Sequence, residues 1–194
     1  MQWMIASDLH GSAYYARALV EAFAREGADR LVLLGDLLYH GPRNDLPREY
    51  APKKVIPLLN GLGDRLLCVR GNCDSEVDQM VLTFPILADY AVLALGERLV
   101  YCTHGHVWNR ENLPPLRPLT AGAGHSKPNR PGDLLLHGHT HVPTWAPFGA
   151  GNLCLNPGSL AIPKEGSPHS YMTIQDNQIL WKTLEGDTYH ALVL

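Results

Sequence analysis

Asp8, His10, Asp36, Asn72, His104, His139 and His141 are side chains that bind divalent metal ions well. They arrive in five short blocks: Asp8-Leu9-His10, Gly35-Asp36, Gly71-Asn72-Cys73-Asp74, His104-Gly105-His106 and Gly138-His139-Thr140-His141. Each block follows an apolar run. One block carries little weight, because Asp, Asn and Gly are ordinary turn residues. Five in this order, each at the end of a strand-like segment, can build a two-metal hydrolytic centre.

The blocks differ in what they offer. Asp8 and His10 are two apart, so in extended chain both side chains project to one side and can share an ion. Asp36 alone reads as a turn or cap; it gains interest because one carboxylate must bridge the ions of a binuclear site. Asn72 supplies a neutral carbonyl oxygen, although Arg70-Gly71-Asn72 also reads as a simple turn. Asp74 can orient a neighbouring ligand, cap a following helix, or do both. Five of the ten histidines fall in or beside two blocks, at 104, 106, 137, 139 and 141. Imidazole is the commonest neutral metal ligand, so this density favours metal over chance. Mixed carboxylate, carboxamide and imidazole donors suit hard or borderline ions such as Mn²⁺, Fe²⁺ or Zn²⁺. No Gly-x-Ser-x-Gly elbow, P-loop or Gly-x-Gly-x-x-Gly occurs.

The blocks need elements to hold them. Gln2–Ala6 reads as a strand, 12–26 as a helix with Ser12 as N-cap and Gly27 as its stop, and 31–34 as a strand covered on both faces. A short helix follows over about 51–60, with Pro57 near its start or kinking it. Residues 65–69 form a third strand. Three strands thus deliver polar blocks at their C-terminal ends, the edge where open α/β sheets bind ligands. The second half is β-rich: a hairpin of 90–95 and 98–103 through Gly96-Glu97, then strands at 134–136, 142–146, 153–155, 171–174, 179–183 and 189–193. Residues 112–132, rich in Pro, Gly and Ala, read as a long surface loop.

The 194 residues suit one domain over 1–194. With 45% hydrophobic and 18% charged residues, the composition is that of an ordinary globular protein. A net charge of −3 argues against a dedicated nucleic-acid or membrane-surface binder. Cys68, Cys73, Cys102 and Cys154 form no C-x-x-C pair; free thiols in a reducing cytoplasm are expected, and a Cys-His zinc knuckle is excluded by spacing. No signal peptide is visible, and no apolar run approaches the about 20 residues that span a bilayer. Self-association is a further option through Trp3, Trp108, Trp145 or Trp181, with core packing favoured.

As an ordered set, Asp8-x-His10, Gly35-Asp36, Gly71-Asn72-x-Asp74, His104-Gly105-His106 and Gly138-His139-x-His141 resemble the calcineurin-like metallophosphoesterase signature. Added likeness to the small bacterial YfcE-type phosphodiesterases lies in His40-Gly41-Pro42-Arg43-Asn44, the Arg70–Met80 stretch and Asn156-Pro157-Gly158-Ser159. The resemblance implies an α/β, four-layer fold of two packed mixed sheets flanked by helices. It implies two divalent ions, usually Mn²⁺, with Fe²⁺, Zn²⁺, Ni²⁺ or Co²⁺ as alternatives. Asp8, His10 and His141 would hold the first with Asp36; Asn72, His104 and His139 would hold the second, with Asp36 bridging. His106 and His137 would stand behind the ligands. Asp36, Asn72 and His104 would form the catalytic core, with Asn72, Cys73 and Arg70 against a small phosphodiester that a metal-activated hydroxide hydrolyses. A phosphomonoesterase is the near alternative, in which Arg43, Arg70, Lys127 or Arg130 would meet a terminal phosphate; a non-catalytic protein-binding scaffold of the same fold is another.

One position departs from the pattern. Many members of the superfamily carry histidine directly after the motif asparagine, where it can protonate the leaving oxygen. Here Cys73 stands there. A thiol is a poor donor to an alkoxide, so esters with acidic leaving groups, such as aryl diesters, are expected to be favoured.

Overall fold

The computed structural model describes residues 1–114, 131–149 and 151–194. Most of the 112–132 stretch, with Lys127 and Arg130, lies outside the described residues. The first half alternates as the apolar pattern predicts: β1 (Gln2–Ala6), α1 (Ala13–Glu26), β2 (Arg30–Leu33), α2 (Pro52–Asn60), β3 (Leu66–Cys68) and a short α3 (Glu76–Gln79). The Ser12 hydroxyl accepts the Tyr15 N–H, and Gly27 closes α1 in the left-handed conformation at φ 62°. Pro52, not Pro57, takes the start of α2; Pro57 lies inside it.

The second half is β4 (Tyr90–Leu95), β5 (Arg98–Thr103), β6 (Leu134–Leu136), β7 (Thr144–Phe148), β8 (Asn152–Asn156), β9 (Ser170–Gln175), β10 (Gln178–Thr183) and β11 (Thr188–Val193). These strands do not form one sheet. β9, β10 and β11 return to the first half, giving a six-stranded sheet ordered β11-β10-β9-β1-β2-β3. The rest form a five-stranded sheet ordered β4-β5-β6-β8-β7. Both sheets are mixed: β1 runs parallel to β2 but antiparallel to β9, and β6 parallel to β8, which runs antiparallel to β7.

Alternation along the strands divides the core into layers. Ile5, Val32, Val100, Leu134, Met172, Ile174 and Trp181 point into the space between the sheets. Met4, Leu31 and Leu33 face the other way and pack on Leu19 and Phe23 of α1 and Val55 and Leu59 of α2. The far face of the five-stranded sheet carries Tyr101, Leu135 and Cys154, covered by Leu99, Leu113 and Phe148. Each fully buried aliphatic or aromatic side chain contributes about 1.5–3 kcal/mol, so the strand ends are anchored firmly. Trp181 is wholly buried and Trp3 nearly so, whereas Trp145 is exposed at one edge and stacks on His190. Cys68, Cys102 and Cys154 are buried free thiols. No described helix is long and apolar enough to cross a membrane.

Candidate metal centre

The C-terminal ends of β1 and β2 are joined beyond the strands themselves. The N–H groups of Asp8, His10 and Gly11 donate to the carbonyls of Gly35, Asp36 and Leu37. This pairing sets the first two blocks side by side. It does so in an unexpected conformation: Asp8, His10 and Asp36 lie at φ 59°, 48° and 56°, and His139 and His141 at 66° and 62°. Asp8 and His10 therefore share a side because both are left-handed, not because the chain is extended. Eight described residues other than glycine have positive φ, and five are candidate ligands. Such residues cost on the order of 1–3 kcal/mol each and persist where the surroundings over-determine them.

Two glycines make the crowding feasible. A Cβ on Gly71 would lie 2.1 Å from Asp36 Oδ1 and 2.3 Å from its backbone nitrogen. A Cβ on Gly138 would lie 1.9 Å from Ser7 Oγ and 2.7 Å from Asp8 Oδ2. Asp74 fixes the same region. Its carboxylate accepts the N–H groups of Asp36, Leu37 and Gly71, each at 2.8 Å. Of the two roles expected for Asp74 it takes the first, supporting Asp36. Ser75 precedes α3 and donates from its N–H and its hydroxyl to Asp78.

All seven candidate ligands gather at one place. His141 Nε2 is 3.2 Å from Asp8 Oδ1 and 3.2 Å from His10 Nε2. Asp36 Oδ2 lies 3.7 Å from His10 Nε2 and 3.4 Å from His104 Nε2, between the two halves. Asn72 Oδ1 is 3.1 Å from His104 Nε2. The His139 ring stands edge-on to His104 at 5.1 Å, and the His139 backbone N–H donates to Asp8 Oδ2. Asp8, His10, Asp36, His104 and His141 are buried, while Asn72 is exposed and His139 half-buried.

Three imidazoles are locked from behind. The Nδ1 atoms of His10, His104 and His141 sit 2.9, 2.6 and 2.7 Å from the carbonyls of Tyr39, Leu34 and Ile162. A carbonyl can only accept, so each Nδ1 carries hydrogen and each Nε2 faces the centre. In the neutral ring the His141 lone pair then points at His10 Nε2 and at Asp8 Oδ1, an oxygen that is buried without a hydrogen-bond partner. Such contacts repel unless a cation lies between them. The donors present therefore fit divalent ions.

The same groups shift one another's ionisation. Burial pushes the Asp8 carboxyl up, but His141, His104 and His10 outweigh it and hold it far below the usual range. Asp36 is likewise lowered against its burial, by His104 above all. For His104, burial favours the neutral ring, yet Asp36 and Asp8 push its pKa up to about 9. His139 moves down to about 4 through burial and the His104 charge.

The remaining candidates sit around this core. The Cys73 N–H donates to Asp36 Oδ1 at 2.8 Å, and its sulfur lies within 4.8 Å of donor atoms of His10 and Asp36. Cys73 thus lies directly against the candidate ligands. Burial and the Asp36 charge push its thiol well up. Arg70 directs Nε at the Asp74 carbonyl and lies 3.8 Å from Glu76. His106 is exposed, its ring 5.3 Å from His104. His137 is buried and donates to the Gly138 carbonyl. Arg43 is exposed. Sequence patterns missed the carbonyls of Leu34, Tyr39 and Ile162, which carry no residue-type signal.

The chain matches the family model described as the calcineurin-like phosphoesterase superfamily domain over residues 1–178. It is 46% identical over 180 residues to the phosphodiesterase YfcE of Escherichia coli strain K12, covering 93% of this chain and 90% of that protein. The solved structure of YfcE, a phosphoesterase from E. coli, superposes with a TM-score of 0.88 at 41% identity, over 100% of this chain and 99% of the other. Vps29 from Entamoeba histolytica, crystallised with zinc, shares the fold at a TM-score of 0.58 and 17% identity, over 100% and 99% of the two chains. Family match, identity and superposition agree, and the protein is a member of the calcineurin-like phosphoesterase superfamily.

Proposed function

We propose that the protein is a metal-dependent phosphodiesterase acting on small diesters, with Asp8, His10, Asp36, Asn72, His104, His139 and His141 as the ligands of two divalent ions. The observation that carries this reading is the position of Asp36 Oδ2, within 3.7 Å of His10 Nε2 on one side and 3.4 Å of His104 Nε2 on the other. A bridging carboxylate needs that place. The phosphodiesterase name of the E. coli relative supports the reaction class.

Two bound ions would supply positive charge to a phosphoryl group and acidify water at the site. The chain does the rest. Asp36 links the two halves of the centre, and Asp74 holds the Asp36 segment through the N–H groups of Asp36, Leu37 and Gly71. The Nδ1–H bonds of His10, His104 and His141 keep each Nε2 aimed inward. Asn72 donates a carbonyl oxygen without adding negative charge, and its exposure lets substrate approach. Arg70, half-committed to Glu76 and the Asp74 carbonyl, offers only part of its charge to a phosphate. That favours a diester monoanion over a monoester dianion. Mn²⁺ is the ion proposed, on the family resemblance; the carboxylate, carboxamide and imidazole donors suit it as they suit Fe²⁺ or Zn²⁺, and the Cys73 sulfur would draw a softer ion.

A panel of aryl and alkyl mono- and diesters, run against Mn²⁺, Fe²⁺, Co²⁺, Ni²⁺ and Zn²⁺, tests this. Aryl diesters with Mn²⁺ should turn over fastest. Asp36→Asn and His104→Ala should each lose at least roughly 100-fold, the upper end of what groups behind a metal ligand cost, with circular dichroism unchanged. Failure to bind metal or to cleave a generic diester would favour a protein-binding scaffold; monoester preference would move the reading to a phosphomonoesterase.

A further inference from the structure

The Asn156-Pro157-Gly158-Ser159 turn offers no ligand to the centre, yet Asn156 and Ser159 are both 0% exposed. A buried amide or hydroxyl is costly unless paired, and the partners here are the ligand-bearing segments. We propose that this turn is a brace for the metal centre, in which Ser159 is a positioning residue for Asp8 and His141 and Asn156 is one for the His139–His141 segment. The inference rests on the two-metal reading above.

Ser159 Oγ donates to the Asp8 carbonyl at 2.9 Å and accepts the Ile162 N–H at 2.9 Å. The Ile162 carbonyl in turn holds His141 Nδ1 at 2.7 Å. One hydroxyl therefore couples two left-handed residues whose ligating atoms are 3.2 Å apart. The Asp8 carbonyl takes a second bond from the Ala161 N–H, so both of its lone pairs are engaged on this turn. The other half of the centre hangs elsewhere: His104 on the Leu34 carbonyl and Asp36 on Asp74 and Cys73. The His139 backbone N–H on Asp8 Oδ2 links the halves, so loss of the Ser159 hydroxyl should be felt chiefly, and not wholly, on one side.

Asn156 reaches the other block. Its Nδ2 donates to the Gly138 carbonyl at 2.9 Å and to Thr140 Oγ1 at 3.0 Å, gripping the chain on either side of His139. Its Oδ1 accepts the Gly158 N–H, which ties that grip to the turn. His139 and His141 lie in different halves of the proposed centre, so Asn156 acts on both. A strained backbone held by two side chains is the arrangement that ligand preorganisation requires.

Metal-free protein titrated with Co²⁺, followed by visible absorption and calorimetry, tests the brace. Wild type should take up two ions in two steps. Ser159→Ala should weaken one step by roughly 10- to 100-fold, as groups behind a ligand do, and leave the other within about twofold. Asn156→Ala should weaken both. Tyr171→Phe, which removes a hydroxyl bonded to Glu26 far from the centre, should change neither, even if the melting temperature falls. Ser159→Cys carries the same test if the alanine variant is not recovered folded. Wild-type affinities in Ser159→Ala, or equal weakening of both steps, would overturn the brace. Uptake of fewer than two ions by wild type would overturn the two-metal reading itself, and the brace with it.

Discussion

Two clusters of charged side chains among the described residues are built differently. Near the C-terminal end of α1, Glu26 Oε1 accepts from Lys182 Nζ and from the Tyr171 hydroxyl, both at 2.6 Å, and Arg25 donates to the Leu184 carbonyl. Every charge has a partner of opposite sign or a carbonyl. At the candidate centre, Asp8 and Asp36 stand among imidazoles whose lone pairs face one another, on a backbone of left-handed residues. Both clusters shift carboxyl pKa values downward. Perturbed ionisation alone therefore does not separate them; completeness does. The first cluster is finished by its own side chains, and the second turns donor atoms toward one another, as the ligands of a cation do.

The largest effect that would break this contrast concerns metal. An ion bound only by the folded state stabilises by about 2.7 kcal/mol at 100 times its dissociation constant, so two should add about 5 kcal/mol. For a chain of this length that is roughly 10–20 °C in melting temperature, reversed by a chelator. Metal binding needs neutral imidazole, and His104 keeps its proton up to about pH 9 in the metal-free protein. Affinity should therefore rise with pH towards 9, and loading at neutral pH should release protons, read as buffer-dependent heat. If excess Mn²⁺ leaves the melting temperature unmoved, the centre is no less complete than the Glu26 cluster.

A smaller effect sharpens the reading inside the centre. The Cys73 thiol is kept protonated by burial and by Asp36, so it neither repels a phosphate nor readily gives up a proton. Cys73→His should supply that proton. General acids contribute about 100-fold or more, so the gain on alkyl diesters should be of that order and the gain on aryl diesters slight. The measurement is kcat against leaving-group pKa, with a shallower slope in the variant. Parallel slopes would remove residue 73 from leaving-group chemistry. The introduced ring must turn away from Gly41, whose missing Cβ would already sit 3.1 Å from the Cys73 sulfur.

How far the sequence discloses this follows from what each feature depends on. β1, β2, β5 and β6 are continuous apolar runs ending in polar blocks, and the run with its polar ending places each within a residue or two. That β9–β11 join β1 is not legible, because strand pairing is a long-range choice that local pattern does not encode. The ligand types at Asp8, His10, Asp36, His104, His139 and His141 stand out by chemistry. Their left-handed backbone does not, since it comes from loop-to-loop bonds such as His10 N–H to the Asp36 carbonyl. The carbonyls of Leu34, Tyr39 and Ile162 are invisible for a simpler reason: any residue would supply them. Asn156 and Ser159 mark a turn in the sequence, but only the bonds they make show which ligands that turn supports.

The smallest expected effect comes from the finished cluster. Lys182→Met removes the cation from Glu26, a nearly buried carboxylate. Hydrogen bonds to charged groups contribute about 1.5–3 kcal/mol, so a loss of about 2 kcal/mol is expected at neutral pH, with metal uptake and turnover unchanged. The pH dependence follows from the direction of the shift. Burial raises the Glu26 carboxyl, but the bonds from Lys182 and Tyr171 outweigh it and lower the folded value below 4.5. A depressed folded value means stability that is present above the unfolded value and is lost as pH falls through the folded one. In the variant only the Tyr171 bond and Arg25 remain to oppose burial. The difference in melting temperature between wild type and variant should therefore be widest above about pH 5 and close as acid is added. Taking the difference cancels the protonation of Asp8 and Asp36, which both proteins share. A gap that stayed constant from pH 3 to 7 would mean that Lys182 acts by packing its methylene chain, and that the finished cluster owes its stability to apolar contact rather than to matched charge.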